Sequence, residues 1–235
     1  MTETPAADRI ADRPAGNTEF RPFVPPFGEK DFEALSELMA ETWLTDFAAR
    51  PAAVAAQVEL CEYVAATTWG CVCERTSDGA LLGAILLAEK DREVAGADAW
   101  AARGDELLVE ASLDATIAEA IRQEMGGVRE EESLAAEYLA SGEPESGVAV
   151  KLLIVSPAAR GMGLGKRLME EARAYLRRRG ARGFYLMTDD SCDVSFYDHL
   201  GLRQVRRRRS LADWPAKSKP DPGAEFSLYV YAERL

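Results

Sequence analysis

The spacing of apolar positions changes from segment to segment along this chain, and the changes predict its elements in order. A short alternating run from Thr18 to Val24 (TEFRPFV) predicts a strand, ended by Pro25-Pro26. From Asp31 onward Phe32, Leu35, Leu38, Met39 and Trp43 recur at helical spacing, with Asp31 placed to cap. A second helix is expected from Pro51, carrying Val54, Val58 and Cys61 on one face. Two strands follow, at about 68–75 and 80–88, and the Ser77-Asp78-Gly79 turn between them marks a hairpin.

The next segment returns to helical spacing. Leu113, Ile117, Ile121 and Met125 lie four apart, so a helix is expected from Asp105 to Met125, stopped by Gly126-Gly127, with another from Arg129 to Ala140. Val148 to Val155 (VAVKLLIV) reads as a central strand buried on both faces. Leu164, Leu168, Ala172 and Leu176 then predict a helix over 164–179 closed by Gly180. Strands at 183–187, 202–208 and 226–232 and a short helix at 195–200 complete the chain. This order predicts a mixed α/β fold: a central sheet with parallel and antiparallel parts, flanked by helices, with a helical insertion between strands 3 and 4. Residues 1–18 are expected to be a disordered leader and 19–235 a single domain, with 89–147 as the insertion.

Composition changes the picture mainly through charge. The 235 residues hold 28 Lys+Arg against 40 Asp+Glu, a net of −12, which disfavours a dedicated nucleic-acid binder. The charge is uneven. Residues 89–147 carry 16 acids against 5 bases, whereas 160–209 carry 13 bases against 6 acids. Four cysteines are too few for a disulfide framework, the first 17 residues lack the apolar core of a signal peptide, and no run approaches the roughly 18 apolar residues of a membrane span. A soluble cytoplasmic protein with reduced thiols is the expectation.

The candidate chemistry lies at Val155-Ser156-Pro157-Ala158-Ala159-Arg160-Gly161-Met162-Gly163-Leu164-Gly165, between a buried strand and a helix. Its glycines leave amides bare at a helix N-terminus, where a pyrophosphate fits. A Walker loop fails, because Arg160 stands five before Gly165 and Arg167 follows Lys166. A dinucleotide fingerprint is matched only as G-x-G-x-G, with Asp189-Asp190 after the next strand; a nucleotide-dependent oxidoreductase stays open on that basis.

Arg160-Gly161-Met162-Gly163-Leu164-Gly165 also fits R/Q-x-x-G-x-G/A. Phe196-Tyr197-Asp198-His199-Leu200-Gly201-Leu202 fits a second motif, F/L-Y-x-x-x-G-F/L, in the right order. On these two motifs residues 148–202 resemble the GNAT superfamily of N-acetyltransferases. The resemblance implies that acetyl-CoA is the co-substrate and a primary amine of a small molecule or peptide the acceptor, attacked directly. It implies that the backbone of Leu153, Ile154 and Val155 meets the pantetheine arm. The amides of Arg160, Gly161, Met162, Gly163, Leu164 and Gly165 would hold the pyrophosphate. The Val155 amide would stabilise the oxyanion and Tyr197 would protonate the thiolate. Asp190 and Asp193 depart from the family, standing seven and four residues before Tyr197 where Asn and a small residue are frequent. They leave room for a non-catalytic sensor of coenzyme A on the same fold.

Without its motif, Tyr197 would read as a buried aromatic. The proton acceptor is left among Asp189, Asp190 and Glu130 to Glu132, none singled out. No metal is implied: Cys71 and Cys73 lie two apart on a strand and read as core thiols, and His199 is the only histidine, with no G-x-S-x-G elbow beside it. Arg206 to Arg209 reads as a solubilising edge strand. The acidity of 89–147 favours a cationic acceptor and makes the insertion a candidate lid. Neither nucleic acid nor membrane is an expected partner, and a homodimer stays open.

Overall fold

The computed structural model describes residues 17–211 and 225–235. Most of the expected leader therefore lies outside the described residues, and Thr18 already belongs to β1, Thr18–Phe23. Two helices, α1 (Glu29–Trp43) and α2 (Ala49–Ala66), lead to the hairpin of β2 (Trp69–Arg75) and β3 (Leu81–Glu89). The insertion forms α3 (Ala97–Ala111) and α4 (Ala115–Leu139). After it come β4 (Val148–Val155), α5 (Leu164–Arg179), β5 (Gly183–Asp189), α6 (Val194–His199), β6 (Arg203–Arg209) and β7 (Ser227–Arg234). The seven strands form one sheet in the order β1-β2-β3-β4-β5-β7-β6, parallel only between β4 and β5.

Several boundaries moved for physical reasons. Asp31 does not cap α1, whose N-cap is Gly28. Its carboxylate instead takes two hydrogen bonds from Arg21 of β1, at 2.7 and 3.2 Å. The helix expected to start at Pro51 begins two residues earlier. The insertion breaks at Asp114, whose side chain accepts from the amides of Thr116 and Ile117 and caps α4. Gly126-Gly127, expected as a stop, lies inside α4. Neither glycine takes the positive φ of a helix terminus, and Ile117, Ile121, Leu134 and Tyr138 bury the helix on either side of them. A Cβ built at Gly126 meets nothing within 4 Å. Gly126→Ala is therefore expected to raise stability by about 1 kcal/mol, read from the urea midpoint.

The core lies on both sheet faces. On one, α1 to α4 cover Val72, Ala84, Leu86, Leu152 and Ile154. On the other, α5 covers Cys71, Ile85, Val150 and Phe184, with Trp69 stacked on Tyr175 at 4.7 Å. β6 is an edge strand, as its arginine run predicted. Arg206 and Arg207 lie over the rings of Tyr138 and Tyr229, and Arg208 and Arg209 pair with Glu137 and Glu225.

Two details of β4 position the site. The pairing of β3 with β4 skips one residue, Leu86 facing Leu152 and Leu87 facing Val150, so Lys151 is a bulge. The ladder between β4 and β5 holds only at Ala149 and Val150, after which the strands part.

Candidate active site

Residues within a strand turn their amides alternately to one neighbour and the other. The Ser156 amide bonds Leu82 of β3, and Ile154 pairs with Ala84, so the amides of Leu153 and Val155 face the gap left by β5. Of the three backbone positions implied for the pantetheine arm, Leu153 and Val155 thus present free polar groups to the gap. The Ile154 backbone is engaged with β3.

Beyond Val155 the chain makes a short 3-10 turn, Pro157–Ala159, before the glycines. It does not run straight from strand to helix as a dinucleotide loop does. Gly161 and Gly163 have φ of 77° and 73°, and a Cβ on either would meet nothing, so their amides border open space. Gly163 is the N-cap of α5 and no side chain caps it. The exposed Arg160 and Lys166 flank this cradle, which suits an anionic pyrophosphate. At Gly165 a Cβ would stand 3.2 Å from the Phe196 ring and 3.6 Å from Val155, so the third glycine lets α6 close onto the loop.

That contact sets Tyr197. Its buried ring lies between Phe196 and Tyr231, at 5.3 and 5.5 Å. Burial, followed by the nearby Cys192, holds its hydroxyl firmly protonated. Tyr197 and Leu153 line a cavity of about 560 Å³ that extends from the gap between β4 and β5 to α2 and α4. Cys192 also lines it, and burial pushes its thiol up to about 12, which removes it as a nucleophile near neutrality.

The cavity wall is acidic. Asp189 at the end of β5, Glu124, Glu130 and Glu131 of α4, and Glu59 of α2 all line it. The buried Asp189 is raised by desolvation although Ser191 donates to it through its amide and its hydroxyl. Glu131 is half-buried. It is raised well above the usual carboxylate range by burial first and then by Asp189 and Glu59. Glu59 is pushed up to about 7 by burial, against the hydrogen bond it accepts from Tyr63 at 2.5 Å. Among the other candidates, Asp190 is absent from the cavity: it accepts from the Ser227 amide and the Tyr229 hydroxyl, both at 2.7 Å, and ties β5 to β7. Asp193 accepts from Ser195, and Glu132 is held by Arg129 and Lys151. The two departures from the family motif therefore lie in side chains engaged with the fold. Glu59, Tyr63 and Glu124 were not foreseen from the sequence. The one available signal was Glu59 at the helical spacing of the apolar face of α2, four residues before Tyr63.

A splayed β4–β5 pair, a glycine cradle opening α5 and a tyrosine across the gap define an acyltransferase of the N-acetyltransferase class. The chain belongs to the Acetyltransferase (GNAT) family, which it matches over residues 32–202. Two solved structures share the fold. The mosquito arylalkylamine N-acetyltransferase like 5b is 14% identical, covers 92% of this chain and 100% of its own, and has a TM-score of 0.54. The ribosomal-protein-S18-alanine N-acetyltransferase from Escherichia coli is 11% identical over 92% of this chain and 94% of its own, with a TM-score of 0.51. Over 80 residues the chain is 39% identical to N-alpha-acetyltransferase 80 of Mus musculus, a stretch that is 30% of this chain and 25% of that protein. The chain thus spans about a quarter of the length of this curated relative. No helix among the described residues is long and apolar enough to cross a membrane.

Proposed function

We propose that the enzyme acetylates a primary amine that arrives as a cation, by direct attack on acetyl-CoA. The observation that carries this reading is the acidic cavity joined to the free amides of β4 through Tyr197. The amides of Gly161, Gly163, Leu164 and Gly165 hold the pyrophosphate, those of Arg160 and Met162 being bonded to the Pro157 and Ala159 carbonyls, and Leu153 and Val155 receive the pantetheine arm. Asp189 and Glu131, the acids whose charge Tyr197 feels, hold the ammonium and take its proton. The amine nitrogen bonds to the carbonyl carbon while the Val155 amide donates to the oxygen gaining charge. The carbon–sulfur bond then breaks and Tyr197 protonates the sulfur. Of the two protons the ammonium gives up, one replaces that of Tyr197 and the other leaves to solvent. The four cysteines are free, which fits a reducing, cytoplasmic setting.

Isothermal titration with acetyl-CoA, followed by thiol release over a panel of amines and neutral alcohols, tests the reading. Binding in the micromolar range with turnover confined to amines is expected. Absence of binding at high micromolar acetyl-CoA sinks it.

A further inference from the structure

We infer that the acceptor carries two cationic groups and that Glu59 and Glu124 hold the one that is not acetylated. The inference rests on the reading of the cavity as the acceptor site and adds the chemical class of the acceptor.

Glu59 is only 3% exposed, and what it exposes faces the cavity. One of its oxygens takes the Tyr63 hydroxyl, and the other, Oε2, is buried without a donor among the described residues. Glu124 lines the same cavity from α4, near enough for the two carboxyls to influence each other's ionisation. Two neighbouring carboxyls on one cavity wall, one of them buried with an oxygen unpartnered, ionise together only at a cost that a cation between them removes.

The charged groups around the pair do not supply that cation. Glu62 and Tyr63 face it from α2 itself, Glu131 from α4, Lys151 from β4 and Asp189 from β5. Lys151, on its bulge, places its ammonium 3.4 Å from Glu132 and over the Tyr63 ring. Glu59, Glu124, Glu131 and Asp189 thus line a cavity whose two lining cations, Lys151 and Arg122, are engaged with Glu132 and Glu119.

Their arrangement gives a span. Tyr197 and Asp189 line the cavity from α6 and the end of β5, and Glu59 and Glu124 line it from α2 and α4. Glu124 and Glu131 are seven residues apart on α4, about 10 Å along its axis. Between them Gly126 and Gly127 line the cavity without side chains. The bare stretch of helix leaves room for an aliphatic spacer between two ammonium groups. A monoamine reaches Asp189 and Glu131 and leaves the second carboxyl pair unfilled.

Thiol release is measured with putrescine, cadaverine and spermidine against butylamine and pentylamine, in the wild type and in Glu124→Gln. Hydrogen bonds to charged groups predict a kcat/KM at least about tenfold higher for a diamine than for the monoamine of equal length, expressed in KM. In Glu124→Gln the ratio falls toward one. Equal kcat/KM for matched pairs in the wild type, or an unchanged ratio in the variant, overturns the inference. The wild-type comparison decides even if the variant does not fold. Calorimetric titration of the same amines with coenzyme A present separates the two readings. Diamine-selective binding without turnover removes acetyl transfer to amines and keeps the second cation site; monoamine turnover without diamine preference does the reverse.

Discussion

Tyr197→Phe is expected to slow turnover by about 10²–10³-fold while acetyl-CoA binds with nearly wild-type affinity. The ring itself is held by Phe196 on one side and Tyr231 on the other, and Phe keeps both contacts. Only the hydroxyl is lost. Because burial keeps that hydroxyl protonated, it can donate to the charge that builds on the leaving sulfur, in a wall from which solvent is largely excluded. Stopped thiol-release assays report the loss in kcat, and calorimetry reports the affinity. A variant that loses binding and turnover equally would show that Tyr197 acts through packing of α6 on the glycine loop.

The parts of this site that local sequence dictates were legible, and the parts made by tertiary crossing were not. Val148–Val155 and Leu164–Arg179 match their expected limits to the residue, because a continuous apolar run and a glycine-bracketed 3.6 period leave little else for the chain to do. The loop between them was legible for the same reason. Gly126-Gly127 misled because the helix cost of two glycines, about 1 kcal/mol each, is smaller than what Ile117, Ile121, Leu134 and Tyr138 gain by burial on one continuous helix. Glu59 was hidden for a different reason. An acid among Val58, Leu60 and Cys61 reads as the solvated face of a helix, and α4 passing beside α2 is what buries it. Lys151 was visible as the lone charge in an apolar strand, but its pairing register shows it as the bulge beside which β4 parts from β5.

The buried acids give the protein an unusual pH response: stability is expected to fall as pH rises from about 5 to about 8. Glu59 titrates near 7 in the folded protein, raised from 4.5, and Glu124, Glu131 and Asp189 are raised as well, in each case chiefly by burial. Between the unfolded and folded values the native state binds more protons than the unfolded chain, so the slope of unfolding free energy against pH is negative. The stability is complete below about 4.5 and is lost as pH passes through the folded value. Glu59 and Glu124 titrate as a pair, and a shift of this size is worth on the order of a few kcal/mol, so the Tm drops by several degrees. Glu145 works the other way. Burial raises it, but its own backbone amide and Arg234, aided by Arg203, outweigh that and hold it below the usual range, so its contribution is lost only in stronger acid. Thermal melts at pH 5, 6, 7 and 8 test the slope. Glu59→Gln keeps an acceptor for the Tyr63 hydroxyl but removes one of the titrating charges and its repulsion of Glu124, so its Tm should change less over the same range and exceed that of the wild type at pH 8. A wild-type Tm that is flat or rising from pH 5 to 8, or a Glu59→Gln variant with the wild-type slope, would mean that the carboxyls of the cavity stay solvated and ionised.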